Sequence, residues 1–236
     1  MLSVVVVVAV FLCVLAFRQS LLNPKSLKVL SLPTIYVGVA LVLSAPGASA
    51  GLAENWLASQ NQADGSISNT SDIATSFQST TEALQVLDYA DGVDPAIRAN
   101  ALQFVNDTQF SGTEYLARKI VANESASNDV SPLVNELLSR QSLIDGGFGE
   151  FPGYQSTVLD TAFALHALAY ASTDMSEPIG FAINYLIEHQ HSDGSWADGV
   201  NVASDYVTAL AMNALLPFRG SHSEAWSAVN SAQSFL

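Results

Sequence analysis

The sequence is short of cations and almost without cysteine. Of 236 residues only 8 are Lys or Arg, and charged residues make up 13%, about half the usual share. Residues 1–50 carry Arg18, Lys25 and Lys28 and no acid. Residues 51–236 therefore hold all 22 acids against Arg98, Arg118, Lys119, Arg140 and Arg219, a formal charge of −17. Nucleic-acid binding needs cations to replace condensed counterions, so this balance argues against it. It argues equally against docking on anionic bilayers. The one cysteine, Cys13, lies in the leader. Disulfide frameworks, zinc–thiolate sites and cysteine nucleophiles are thereby excluded from the acidic body.

What is present begins with two apolar stretches. The first covers residues 2–17, short for a span of about 20 residues, and no cation precedes it. The second follows Lys25 and Lys28, covers residues 29–43 and ends in Ala45-Pro-Gly-Ala-Ser-Ala50. Cations, an apolar core and a small-x-small ending make a secretory signal, with cleavage expected after Ala50. The first stretch then reflects either a start assigned too far upstream, with the true one near Leu22, or a membrane hairpin with its cations in a cytoplasmic loop. The upstream start is the preferred reading. Either way the acidic body is exported to the periplasm, cell surface or medium, and touches a membrane only through the leader.

The body, residues 51–236, is read as one domain built of repeats, which are sought first because they decide the fold. Asn55-Trp-Leu-Ala-Ser-Gln-Asn-Gln-Ala-Asp64-Gly-Ser-Ile67 aligns without gaps to Asn184-Tyr-Leu-Ile-Glu-His-Gln-His-Ser-Asp193-Gly-Ser-Trp196. A third copy is Leu137-Leu-Ser-Arg-Gln141-Ser-Leu-Ile-Asp145-Gly-Gly-Phe148, and residues 102–112 form a degenerate one. Each copy reads as a helix end, an Asp-Gly turn and a large apolar residue. A second helix follows each, led by Thr80, Thr113, Thr161 or Thr208. Two helices per repeat predict stacked helical hairpins and an all-α fold. A fifth first-helix begins near Ser223, and the chain stops before another Asp-Gly turn.

The copy Tyr185-Leu-x-x-x-Gln190-x-x-Asp-Gly-Ser-Trp196 resembles the QW repeat of squalene and oxidosqualene cyclases and protein prenyltransferase β-subunits. The resemblance covers roughly 180 residues. It implies an α/α toroid, here a partial one of about four to five hairpins. It puts Trp56, Leu138 and Tyr185 on outer helices and the threonine-led helices inside. By their own chemistry, Gly65, Gly146 and Gly194 suit the left-handed end of a helix. Asp64, Asp145 and Asp193 suit bonding of the turn that follows. Gln60, Gln141 and Gln190 can reach exposed backbone groups, and Ile67, Phe148 and Trp196 can anchor each turn. These residues read as structural.

The chemistries implied by the resemblance do not carry over. The cyclase acid motif D-x-D-D-T-A matches Thr157-Val-Leu159-Asp160-Thr-Ala162, where Leu159 replaces the protonating acid and cannot donate a proton. The prenyltransferase zinc site needs a cysteine, and so does the thioester motif of further relatives. No cofactor or metal is expected. Asp160 remains a weak catalytic candidate, with a plain reading as a helix N-terminal carboxylate. His189 and His191 lie two apart and do not face each other on a helix. Aligned on the threonines, Gln85, Arg118, His166 and Asn213 occupy one position, polar on otherwise apolar helices. They are the candidate ligand-binding belt, against a plain reading as hydrogen-bonding groups between hairpins. The expectation is an exported, non-catalytic domain that binds an unknown protein or a small ligand, corrinoids included. An atypical terpene cyclase or prenyl-handling enzyme is the rival. The unfinished fifth hairpin predicts missing C-terminal repeats or an oligomer that covers the open edge.

Overall fold

The computed structural model describes residues 50–68, 74–88, 93–171, 175–197, 199 and 202–236. The leader expected at 1–50 lies, apart from Ala50, outside the described residues. The protein is all-α: among the described residues there are isolated antiparallel bridges and no strand. The chain divides into two compact units between Thr108 and Gln109.

In the first unit, α1 (Ala50–Ser59) and α3 (Pro95–Asp107) pack against α2 (Ser76–Leu87). Thr75 caps α2 through a reciprocal box with Gln78, and Asp94 caps α3 just ahead of Pro95. Such caps satisfy amides that have no partner inside the helix. Arg98 and Asp88 form an ion pair between α3 and the end of α2.

The second unit has two layers. The front layer is α4 (Thr113–Ser125), α6 (Val158–Tyr170) and α8 (Asp205–Leu215). The central helix α6 packs against α4 on one side and α8 on the other. The back layer is α5 (Ser131–Leu138), α7 (Ser176–Glu188) and α9 (Ser223–Phe235). Helix α5 lies on α4, α7 lies on α6, and α9 touches both α8 and α7. One continuous apolar cluster fills the space between the layers, with Phe148, Leu165, Leu168, Leu186, Trp196 and Leu215 fully buried. Each such side chain contributes about 2–3 kcal/mol relative to exposure. A short 3-10 turn, Leu216–Phe218, joins α8 to α9.

Two expectations need correction. The threonines do not lead their helices, except at Thr113. Helices α2, α6 and α8 start at Ser76, Val158 and Asp205, because Thr75, Thr157 and Ser204 are the capping residues. The turn glycines do not end helices either. Helices α1, α5 and α7 stop at Ser59, Leu138 and Glu188, and each glycine sits several residues later in a separate turn. The positive φ is real, at 88°, 74° and 91° for Gly65, Gly146 and Gly194. Its cause is that turn and a close approach: a Cβ on Gly65 would meet the Asn100 carbonyl oxygen at 2.6 Å, and one on Gly146 would meet Phe181 Cβ at 2.7 Å.

Candidate functional site

The repeated Asp-Gly turn is a built joint with the same parts each time. Asp64 accepts the amide of Ser66 at 3.0 Å, Asp145 that of Gly147 at 3.1 Å, and Asp193 that of Ser195 at 3.0 Å. Bonds from Ser66 hold the Asp64 carboxyl below its ordinary range, and bonds from Ser195 do the same for Asp193. At Asp145 burial opposes ionisation, but bonds from Ser156, Ser142 and Gly147 outweigh it and keep the carboxyl low. The apolar residue after the turn is buried, and its amide is caught by the threonine of the next helix. Ile67 donates to Thr80 Oγ1, Phe148 to Thr161 Oγ1 and Trp196 to Thr208 Oγ1, each at 2.9 Å. All four threonines are fully buried. The sequence reading used these threonines as markers and missed this job. Their near-constant spacing from the apolar residue, 13, 13 and 12 residues, was the available signal.

The glutamine ties one copy to the next. Gln141 Nε2 donates to Gly146 O at 2.9 Å in its own turn and to Pro178 O on α7 at 2.8 Å. Gln190 Nε2 donates to Gly194 O and to Ala228 O on α9, both at 2.9 Å. Gln60 does not act this way; its amide bonds Ser59 Oγ. In the first copy Asn61 stands where Gln190 stands in the fourth. Its backbone pairs with Ile67 as that of Gln141 pairs with Phe148, but its Oδ1 is buried without a hydrogen bond. Tyr185 is buried and donates to Ser156 O at 3.0 Å; burial, with Asp145 and Asp160 nearby, pushes its hydroxyl up to about 12. Trp56, its counterpart in the first copy, is 55% exposed and anchors nothing comparable. The degenerate second copy has no turn for Thr113. Thr113 instead donates to Gly149 O at 2.7 Å and accepts from Arg140 Nη1 at 3.2 Å.

The belt residues are placed as follows. Arg118, His166 and Asn213 lie at one register on α4, α6 and α8, which are neighbours in the front layer. Gln85 is half-buried on α2, in the first unit. Helix α6 is covered by α4, α7 and α8. Its partly exposed residues include Leu159, His166 and Tyr170, a spacing that falls on one stripe. Leu159 and Tyr170 also pack against the core cluster, so the stripe is half-buried. The Arg118 guanidinium reaches across from α4, 4.9 Å over the Phe163 ring, and pairs with Glu114 at 2.9 Å. His166 lies 5.1 Å from Tyr170, ring to ring. Asn213 is buried. The belt thus divides: Arg118 makes an interhelix stack, His166 is half-buried beside Tyr170, and Asn213 is packed inside.

Asp160 sits at the start of α6, buried, accepting from Thr157 Oγ1 at 2.8 Å. Burial pushes its carboxyl above the ordinary carboxylate range. The Thr157 bond works against this, the charges of Glu150 and Glu114 add to it, and Arg140 opposes it. The histidine candidates are occupied by local bonds: His189 Nδ1 lies 2.8 Å from Tyr185 O, and His191 Nδ1 lies 3.2 Å from Ser195 Oγ. Ser195, His191 and Asp193 do come together. The serine, however, is buried and gives its proton to Asp193 at 2.7 Å. A nucleophile needs a base to take that proton, so this is a turn lock. Asn123-Glu-Ser has the spacing of a glycosylation acceptor, but Asn123 is buried and its Nδ2 bonds Lys119 O at 2.9 Å. Among the described residues no three His, Cys, Asp or Glu groups converge as a metal site, and no helix is long and apolar enough to cross a membrane.

No protein-family model matches the chain, and no curated protein matches it either.

Proposed function

We propose that the chain is an exported, acidic protein of the QW-repeat class, whose hairpins form part of an α/α toroid and bind a small ligand or a protein partner. In this reading α2, α4, α6 and α8 are the inner helices, and the leader carries the domain across or onto the membrane. Fold alone does not assign function, so the binding role rests on one observation. One half-buried stripe of α6 carries His166 and Tyr170, ring to ring, with Arg118 stacked beside it on Phe163. Aromatic rings interleaved with a few directional polar groups are the usual lining of a small-molecule site. The test is thermal-shift screening of the full chain against polyprenyl compounds, corrinoids and cell-wall fragments. One class should raise the melting temperature, and His166→Ala should abolish the rise. If no class does so at saturating concentration, the binding reading fails.

A second reading has one observation in its favour. Asp160 is a buried acid at the head of a front-layer helix, held above its ordinary range by burial, and perturbed acids cluster at catalytic sites. An enzyme that protonates a polyprenyl substrate would use it. Turnover of such a compound, abolished by Asp160→Asn with the fold intact, would replace the binding reading with this one.

A further inference from the structure

The third Asp-Gly turn carries something its counterparts lack. Between Gln141 and Asp145 stand Ser142, Leu143 and Ile144, one residue more than in the other two turns. The first copy has Gln62 and Ala63 at that place, and the fourth has His191 and Ser192. Leu143 is 103% exposed and Ile144 98%, so neither side chain rests on the protein. The turn beneath them is tightly bonded. Ser142 N donates to Gly147 O at 2.8 Å and Gly146 N to Ser142 O at 2.9 Å. Ser142 Oγ accepts the amides of Ile144 and Asp145, and Gln141 ties the turn to α7. At its foot Gly146 lies against Phe181, itself 51% exposed. Single exposed apolar residues are ordinary. Two adjacent ones, lifted clear on a braced turn in only one of three equivalent copies, are not accounted for by folding.

We propose that this tip inserts into the headgroup–acyl boundary of a neutral lipid bilayer. The shape favours lipid over a protein: a convex tip with no shoulder of its own enters a fluid layer, whereas a protein would have to offer a matching hole. In this respect the proposal rests on the export reading, in which the leader's two apolar stretches and three cations would bring the chain to a membrane. Charge decides the lipid class. With −17 on residues 51–236, an anionic surface repels the body, so attraction must come from buried apolar area alone. The Asp145 carboxylate is bonded back into its own turn by Ser156 and Gly147, which leaves the two aliphatic side chains ahead of it. The inference does not depend on what the front face binds.

The test uses the full chain with Cys13→Ser, reconstituted in phosphatidylcholine vesicles. An environment-sensitive fluorophore is attached at Ile144→Cys or, as the equivalent polar turn, at Ser192→Cys. Both positions are exposed, so neither substitution disturbs packing. The probe at position 144 should shift to the blue and be quenched by brominated lipid, while the probe at 192 stays in water. Matching aqueous emission at both positions overturns the proposal. So does a blue shift at 144 that brominated lipid leaves untouched, because a protein surface would then be covering the tip.

Discussion

At the scale of a residue, the threonine hydroxyl is the smallest part on which each joint depends. Thr161 Oγ1 accepts the amide of Phe148 at 2.9 Å while both residues are fully buried. Valine has nearly the same shape but no acceptor, so Thr161→Val strands a buried N–H. Leaving such a donor unpaired costs about 1–3 kcal/mol, and the lost hydroxyl leaves no void to add to it. We expect a lowered urea midpoint of that size for Thr161→Val and near-complete recovery with Thr161→Ser. Equal stability of all three proteins would show that the bond is incidental. The sequence pattern made the threonine visible without revealing its task. Periodicity reports which face of a helix is apolar, whereas the acceptor role depends on a turn 13 residues upstream folding back onto the helix.

At the scale of an element, the amide bridges set how one back helix seats on the turn before it. Gln190 serves two carbonyls, Gly194 O and Ala228 O, and so joins α9 to the turn after α7. Gln141 joins α7 to the turn after α5 in the same way. Asn61 is one methylene shorter, its Oδ1 is left without a partner, and among the described residues it makes no side-chain bond to a neighbouring helix. Gln190→Ala should therefore cost about 1–2 kcal/mol by leaving partly buried carbonyls short of a donor, while Asn61→Ala should cost little. Differential scanning calorimetry on the two variants checks the contrast, and a reversed order would refute the bridging role. Much of this was legible. The all-α fold, the Asp-Gly turns and the buried Phe148 and Trp196 follow from repeats and apolar spacing, whereas the helices that pack as consecutive pairs are α4 with α5, α6 with α7 and α8 with α9, and not each motif helix with the threonine helix after it. In the first copy Gln60 bonds only its neighbour Ser59 and Trp56 stays exposed, because a motif match does not tell whether a neighbouring helix lies within reach. The split of the belt was not legible either. A polar residue at one register can stack, sit at the surface or be packed inside, and only the neighbouring helices decide.

At the scale of the molecule, the two units differ in how much holds them. The second has the continuous apolar cluster, two glutamine bridges and two turns closed by a buried aromatic ring. In the first unit the described core is Ile67, Phe77, Ala83, Leu84, Leu87, Ala101 and Val105. It has one turn, closed by an isoleucine, and no bridging glutamine among its described residues. Buried apolar area and bridging bonds are what a local opening must break, so opening free energies follow them. Native-state hydrogen exchange should accordingly give the amides of α2 lower protection than those of α6 and α8, with α6 the most protected because helices cover three of its sides. The units would then exchange as separate cooperative blocks, and heating would show two transitions or one broadened step in place of a two-state curve. Uniform protection across α2, α6 and α8 would contradict this.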